Sequence, residues 1–207
     1  MHEALDPLPL IAILRGLEPA NAFSVGAALY ESGFRIIEVP LNSPEPFESI
    51  RTLVEGFGRT CWIGAGTVLK PEDVTRVKEA GGTLVVMPHS DPVVIEAAKR
   101  EGLLALPGAA TPSEAFRALG AGADAIKMFP AEALPPEVVK AWRAVLPPEV
   151  PLLPVGGITP DKIEPYLRAG AGGFGLGSAL FRPGIDNGTL AARARAFERA
   201  VEAARGG

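Results

Sequence analysis

The stretch Ala125-Ile126-Lys127-Met128-Phe129-Pro130 is a short apolar run with a lysine at its centre. As a β-strand it places Ala125, Lys127 and Phe129 on one face and its other side chains on the opposite face. Of the six lysines in the chain, only Lys127 lies within such a run. Burial disfavours the charged form of an amine, so we expect a lowered pKa for Lys127. A neutral amine attacks carbonyl carbons, which makes Lys127 a candidate Schiff-base nucleophile. The alternative is a lysine at a strand end whose amine reaches solvent.

This run is one of eight that alternate with amphipathic segments along the chain. The eight strand-like runs cover residues 10–14, 36–41, 62–68, 84–87, 103–106, 125–129, 152–155 and 173–176. Helical spacing predicts helices over residues 20–32, 71–80, 92–101, 113–119, 136–145, 161–169 and 189–205. Strands this apolar are typical of parallel sheets that are covered by helices. Eight βα units are the number that closes into a ring. The prediction is therefore an α/β fold, a (β/α)8 TIM barrel, formed by a single domain over residues 1–207.

Helix boundaries are marked in the sequence by local signals. Thr111-Pro112-Ser113-Glu114 supplies an N-cap, a proline at the first helical position and a glutamate at the third. Thr159-Pro160 repeats the first two of these features. Several helical segments end on glycine, as at Gly33, Gly102 and Gly170, where a left-handed C-cap is favoured.

Composition limits the classes of function. The net charge of −4 and the pI near 5.3 argue against nucleic acid or an anionic membrane as a partner. No apolar run approaches the ~20 residues of a transmembrane helix, and the acidic N-terminal segment does not resemble a signal peptide. A single cysteine, Cys61, suits a reducing cytoplasm. With two histidines, His2 and His89, the sequence predicts neither a metal site nor a cofactor.

In a (β/α)8 barrel the active site lies at the carboxyl ends of the strands. Glu38 stands among apolar neighbours in the second strand, and Arg15 follows the first. A buried carboxylate that faces the same cavity as a lysine amine suits proton transfer, whereas the alternative is a structural ion pair between Glu38 and Arg15. We interpret Arg15 as a fixed cation for a substrate carboxylate. His89 is not included among the predicted catalytic residues.

Glycine turns follow the last two strands, at Gly156-Gly157 and at Gly175-Leu176-Gly177-Ser178. Such turns allow backbone N–H groups to approach an anion closely, and the loops after strands seven and eight are the frequent phosphate site of barrels. As a single motif, paired glycines are more often simple turn residues. Two such turns at these positions favour a small phosphorylated metabolite as the ligand, with Ser178 as a further hydrogen-bond donor.

Five motifs, taken in order, resemble those of the 2-keto-3-deoxy-6-phosphogluconate and 4-hydroxy-2-oxoglutarate aldolase family. They begin at residues 11, 38, 64, 127 and 155 and read IAILRG, EVPLNSP, GAGTVL, KMFP and VGG. The resemblance implies a class I aldolase on a (β/α)8 barrel, assembled as a homotrimer. It implies an imine on Lys127 and general acid/base chemistry by Glu38. It further implies substrate-binding positions at Arg15, Thr67, Gly156 and Gly157 and phosphate-binding positions at Gly177 and Ser178.

Within the family, residues 38–44 and Val155 resemble the 2-dehydro-3-deoxy-6-phosphogalactonate branch. The expected reaction is reversible cleavage of this phosphorylated keto acid to pyruvate and D-glyceraldehyde 3-phosphate. Three alternatives remain open at this point. They are cleavage of the phosphogluconate epimer or of 4-hydroxy-2-oxoglutarate, isomerisation or epimerisation of a phosphosugar on the same fold, and a binding module for phosphorylated ligands. The preference for configuration at C4 does not follow from the sequence.

Overall fold

The computed structural model describes residues 1–6 and 8–206. Strands occupy Leu10–Ile13 (β1), Ile36–Pro40 (β2), Trp62–Gly66 (β3), Leu84–Val86 (β4), Leu104–Leu106 (β5), Gly108–Ala109 (β6), Ile126–Met128 (β7), Leu152–Pro154 (β8) and Phe174–Leu176 (β9). Helices occupy His2–Leu5 (α1), Pro19–Glu31 (α2), Pro46–Phe57 (α3), Pro71–Glu79 (α4), Pro92–Arg100 (α5), Pro112–Gly120 (α6), Pro136–Arg143 (α7), Pro160–Arg168 (α8) and Asn187–Gly206 (α9). A short 3₁₀ helix covers Ala131–Ala133.

The alternation of strands and helices agrees with the sequence prediction. Each of the eight apolar runs contains a strand, and each of the seven predicted helices is present. The short strand β6 and the helices α1 and α3 were not among the predicted segments. Among residues 1–6 and 8–206, no helix is both long and apolar enough to cross a membrane.

All strand pairs are parallel, and they form two sheets. One sheet has six strands in the order β5-β4-β3-β2-β1-β9, and the other has three in the order β6-β7-β8. The chain passes from one sheet to the other at Pro107, between β5 and β6. Proline has no N–H to give to a ladder, so the strand is interrupted there. At the other side, a single parallel bridge between Val155 and Gly175 links β8 to β9.

Two apolar clusters lie on the two faces of these strands. The larger cluster contains Ile37, Ile63, Val85, Ile126 and the buried side chains of the surrounding helices. The smaller cluster collects alternate residues from both sheets and from α1: Ala4, Leu5, Ile11, Ile36, Leu84, Val86, Leu106, Ala125 and Leu153. Because strands of both sheets contribute to the smaller cluster, their inner faces meet around a common interior.

The helix-capping interactions predicted from the sequence are confirmed in part. Thr111 and Glu114 form a complete capping box at the start of α6. Thr159 is the N-cap of α8, but its side chain makes no capping hydrogen bond. Gly33, Gly102 and Gly170 all adopt positive φ after a helix, as the C-cap prediction requires.

Candidate active site

A cavity of about 750 Å³ lies where the strands of both sheets end. Seven of the eight predicted site residues line it: Arg15, Thr67, Lys127, Gly156, Gly157, Gly177 and Ser178. The eighth, Glu38, is buried in β2 and interacts electrostatically with Lys127 and Arg15. The structure therefore brings all eight residues to one region, although they are drawn from six of the loops and strands.

Lys127 is in the middle of β7, and only 7% of its surface is exposed. Its backbone N–H donates to the carbonyl of Pro107, and its Nζ lies 4.7 Å from the centre of the Phe129 ring. Burial lowers the pKa of Lys127, and Arg15 lowers it further, while Glu38 opposes the shift. The alternative of a lysine that reaches solvent is wrong, and the amine is suited to attack a carbonyl carbon within the cavity.

Glu38 is enclosed more completely, with 2% of its surface exposed. Burial raises the pKa of this carboxyl from 4.5 to about 7, although Lys127 and Arg15 both lower it. A group that titrates near neutral pH can both donate and accept protons there. Among the described residues, no cation lies within ion-pair distance of Glu38, and its Oε2 has no hydrogen-bond partner. The alternative of a structural ion pair with Arg15 is therefore not observed.

Gly66 provides the space that the Glu38 carboxyl occupies. The two residues are on the neighbouring strands β2 and β3, and a Cβ added at Gly66 would overlap the carboxyl atoms of Glu38. A Cβ at Gly64 would overlap the backbone of Leu84. Two of the five residues of β3 therefore lack side chains at places where atoms of neighbouring strands already fill the space. Both glycines belong to the motif GAGTVL, but their role as space for the acid is not predicted by the sequence.

Arg15 is held in position by a residue that the sequence analysis did not select. Its Nη1 donates to Oδ1 of Asn42 at 2.6 Å, and Asn42 lines the same cavity from the loop after β2. The neighbouring N–H of Gly16 donates to Oγ of the buried Ser43 at 2.9 Å. Two hydrogen bonds thus connect the loops after β1 and β2. Asn42 directly follows the run 36–41 that contains Glu38, so its position at a strand end can be read from the sequence.

Thr67 has a backbone conformation that is rare for its residue type. Its φ is 56°, in the left-handed region that a β-branched side chain seldom adopts. Such a residue costs about 1–3 kcal/mol and is often found at a ligand site. Here it turns the chain at the carboxyl end of β3, next to Gly66, and places Thr67 in the cavity wall.

The two glycine turns differ in their surroundings. Gly156 and Gly157 both have positive φ and are packed against the side chain of Glu132, which also lines the cavity. Gly177 has open space around its Cα, and Ser178 beside it accepts a hydrogen bond at its carbonyl from Nε of Arg182 at 3.0 Å. Glu132 and Arg182 were not selected from the sequence, because neither lies in a strand or a glycine motif.

His89 lies outside this cavity. With Phe129 and Arg117 it lines a neighbouring cavity of about 410 Å³, and its Nδ1 has no hydrogen-bond partner among the described residues. Among residues 1–6 and 8–206, there is no group of three or more His, Cys, Asp or Glu side chains that could hold a metal ion.

Comparison with known proteins identifies the family. The family model described as KDPG and KHG aldolase matches residues 1–195. The chain belongs to this aldolase family. The chain is 47% identical over 199 residues to the probable 2-dehydro-3-deoxy-6-phosphogalactonate aldolase of Rhizobium meliloti, with 96% of this chain and 94% of the relative covered. It is 45% identical to the 2-dehydro-3-deoxy-6-phosphogalactonate aldolase of Escherichia coli K12, with 95% and 96% covered.

The KHG/KDPG aldolase of Escherichia coli K12 is less similar, at 32% identity over 78% of this aldolase and 74% of that protein. Among solved structures, a native KDPGal structure has a TM-score of 0.95 at 44% identity, with 96% and 97% of the two chains covered. A cube-shaped protein cage, designed by fusing symmetric oligomeric domains, matches with a TM-score of 0.94 at 44% identity over 96% of this chain and 74% of the cage chain.

The raised pKa of Glu38 predicts how the substitution Glu38→Gln changes stability with pH. Between pH 4.5 and about 7 the carboxyl is protonated in the folded protein and ionised in the unfolded chain. Unfolding then releases a proton, so rising pH favours unfolding of the wild type, whereas glutamine does not titrate. We expect the stability of Glu38→Gln relative to wild type to increase over this interval by an amount on the order of a few kcal/mol. Thermal unfolding across the pH range measures it.

Glu114→Gln is the matched control, because hydrogen bonds from Ala110 and Thr111 lower the pKa of Glu114. Its ionised form stabilises the fold above the unfolded pKa and loses this effect as pH falls. The relative stability of the control should therefore decrease as pH rises toward 4.5 and stay level between pH 4.5 and about 7. If the relative stability of Glu38→Gln changed with pH in the same way as that of Glu114→Gln, the raised pKa of Glu38 would be contradicted.

The contact between Gly66 and Glu38 predicts that Gly66→Ala is destabilising, by about 1–3 kcal/mol, because the added methyl group overlaps the carboxyl. In a Glu38→Ala background the same substitution should cost much less, since the overlapping atoms are absent. Gly120→Ala, at a site with no atom within 4 Å of the added Cβ, is the control. Denaturant unfolding of the wild type, Gly66→Ala, Glu38→Ala and the double variant measures the coupling between the two residues. Additive changes in the free energy of unfolding would show that the two residues are independent.

Proposed function

We propose that this aldolase reversibly cleaves 2-dehydro-3-deoxy-6-phospho-D-galactonate to pyruvate and D-glyceraldehyde 3-phosphate through an imine on Lys127. The observation that carries the proposal is the burial of a lysine with lowered pKa in the cavity wall, together with a buried carboxyl of raised pKa with which it interacts electrostatically. A phosphosugar isomerase has no need of a neutral amine there, and a binding module has no need of either group.

The reaction begins when neutral Lys127 attacks the C2 ketone to form a carbinolamine. Loss of water gives a protonated imine, and Glu38 transfers protons in this step. The C3–C4 bond then breaks, and its electron pair moves toward the imine nitrogen to form an enamine. Glu38 accepts the proton of the C4 hydroxyl as the aldehyde leaves. Protonation of the enamine at C3 and hydrolysis of the imine release pyruvate and restore Lys127.

The remaining predicted residues recognise the ends of the substrate. Arg15, fixed by Asn42, binds the carboxylate at C1, next to the ketone that Lys127 attacks. Thr67, Gly156 and Gly157 contact the carbon chain, and the turn at Gly177 and Ser178 binds the phosphate. The cavity of about 750 Å³ is within the usual size range for small-molecule sites. No cofactor takes part in this scheme.

Similarity favours the galactonate branch over the gluconate branch. Identity is 47% and 45% to the two phosphogalactonate aldolases and 32% to the KHG/KDPG aldolase. Val155, whose side chain is buried at the cavity wall, has no hydroxyl to offer a substrate group near C4. Absence of that hydrogen bond changes the balance between the two C4 epimers.

The proposed architecture is a closed (β/α)8 barrel in a single domain. It is supported by two connections between the ends of the two sheets: the single residue Pro107 that separates β5 from β6, and the bridge between Val155 and Gly175. A homotrimer is supported by the family resemblance and by the similarity to a cage built from symmetric oligomeric domains. The single, buried Cys61 fits a cytoplasmic enzyme.

Reductive trapping tests the imine. Treatment with pyruvate and borohydride should add a carboxyethyl group to Lys127 and to no other lysine, as measured by peptide mass mapping. Lys127→Met should lose both the label and activity. Lys140→Met, at an exposed position of α7, should retain both. Glu38→Gln should reduce turnover by ~10²–10⁴-fold. An unlabelled Lys127 in the wild type would refute the mechanism.

Comparison of the C4 epimers tests the substrate. We expect kcat/KM to be higher for the phosphogalactonate than for the phosphogluconate substrate, and Val155→Thr to shift the ratio toward the gluconate epimer by roughly tenfold. Val145→Thr, at an exposed site, should leave the ratio unchanged. Preference of the wild type for the gluconate epimer or for 4-hydroxy-2-oxoglutarate would place the enzyme in the other branch.

A further inference from the structure

Two arginines line the active-site cavity: Arg15 comes from the loop after β1, and Arg182 comes from the segment after β9. Arg15 is close enough to shift the pKa of both Glu38 and Lys127. Arg182 belongs to the side of the cavity formed by the turn after β9, because its guanidinium reaches back to Ser178 in that turn.

Arg182 is fixed to the turn that follows β9. Its Nε donates to the carbonyl of Ser178 at 3.0 Å. The turn itself is closed by the N–H groups of Leu180 and Phe181, which both donate to the carbonyl of Gly177 at 2.9 and 3.0 Å. With Nε engaged, the two terminal nitrogens of the planar guanidinium form a fork that suits a phosphate or carboxylate.

The other glycine turn has the opposite charge beside it. The Glu132 side chain packs against Gly156 and Gly157, and Nζ of Lys162 donates to the carbonyl of Gly157 at 2.7 Å rather than to the cavity. A doubly charged phosphate is repelled by Glu132 and attracted by Arg182. Of the two turns, the one at Gly177 and Ser178 is therefore electrostatically suited to the phosphate.

We propose that Arg182 binds the C6 phosphate of the substrate, together with the turn at Gly177 and Ser178, while Arg15 binds the C1 carboxylate. This inference rests on the proposed function, because it divides the two anionic ends of that substrate between two guanidinium groups. Arg182 supplies the positive charge that glycines and a serine lack, and it gives the enzyme its preference for phosphorylated over unphosphorylated keto acids.

The experiment compares Arg182→Gln with wild type on 2-dehydro-3-deoxy-6-phosphogalactonate and on the same sugar acid without phosphate. For the phosphorylated substrate we expect KM to rise roughly 10- to 100-fold with a small change in kcat, because a charge-assisted contact is lost. For the unphosphorylated substrate, kcat/KM should be unchanged. Arg182→Lys should restore part of the discrimination, since it retains the charge but not the fork.

Arg193→Gln is the matched control. Arg193 reaches the same turn from α9, through a hydrogen bond from its Nη1 to the carbonyl of Leu180 at 3.4 Å, but it does not line the cavity. If Arg182 only anchored the turn, then Arg182→Gln, like Arg193→Gln, should change kcat/KM for the two substrates by the same factor. Equal effects of Arg182→Gln on the two substrates would overturn the proposal.

Calorimetric titration with inorganic phosphate makes the test independent of turnover. Phosphate should bind the wild type and Arg193→Gln with similar affinity and bind Arg182→Gln at least tenfold more weakly. Unchanged phosphate affinity in Arg182→Gln would refute the role of this arginine, whatever the activity. Pyruvate trapping on Lys127 should be the same in all three proteins, and its failure in the wild type would instead refute the proposed aldolase mechanism.

Discussion

Two ionisable side chains, Lys127 and Glu38, share an interior that is otherwise lined by aliphatic residues, and the rest of the site depends on this arrangement. Each alone would be costly to bury in its charged form. Together they stabilise each other's charge in part, while burial moves both pKa values toward neutrality. Because β2 and β7 belong to different sheets, the pair forms only where the inner faces of the two sheets meet.

Much of this architecture could be predicted from the sequence because it is local. The apolar runs identify the strands, and signals such as the Thr111–Glu114 capping box locate the start of a helix within one or two residues. Lys127 and Glu38 were found because a charged residue within an apolar run is exceptional. The ordinal rule for barrel loops then placed the glycine turns in the same region, where the structure also has them.

The parts that could not be predicted depend on contacts between distant segments. Asn42 orients Arg15 across 27 positions of sequence, and Arg182 reaches the cavity from a turn without a distinctive motif. Glu132 lies against a glycine turn that sequence reasoning treated as a neutral anion cradle. The division of the strands at Pro107 depends on a single absent N–H, whose effect is visible only once the neighbouring ladders are known.

Gly66 shows that a requirement for an acid can be encoded in a residue with no functional group. Its missing side chain fixes where the Glu38 carboxyl can be, so any enlargement at this position is also an alteration of the acid, 28 residues away. The position of the proton donor therefore depends on the absence of a side chain at residue 66. For redesign, this glycine and its neighbourhood offer a steric means of adjusting the acid without changing its chemistry.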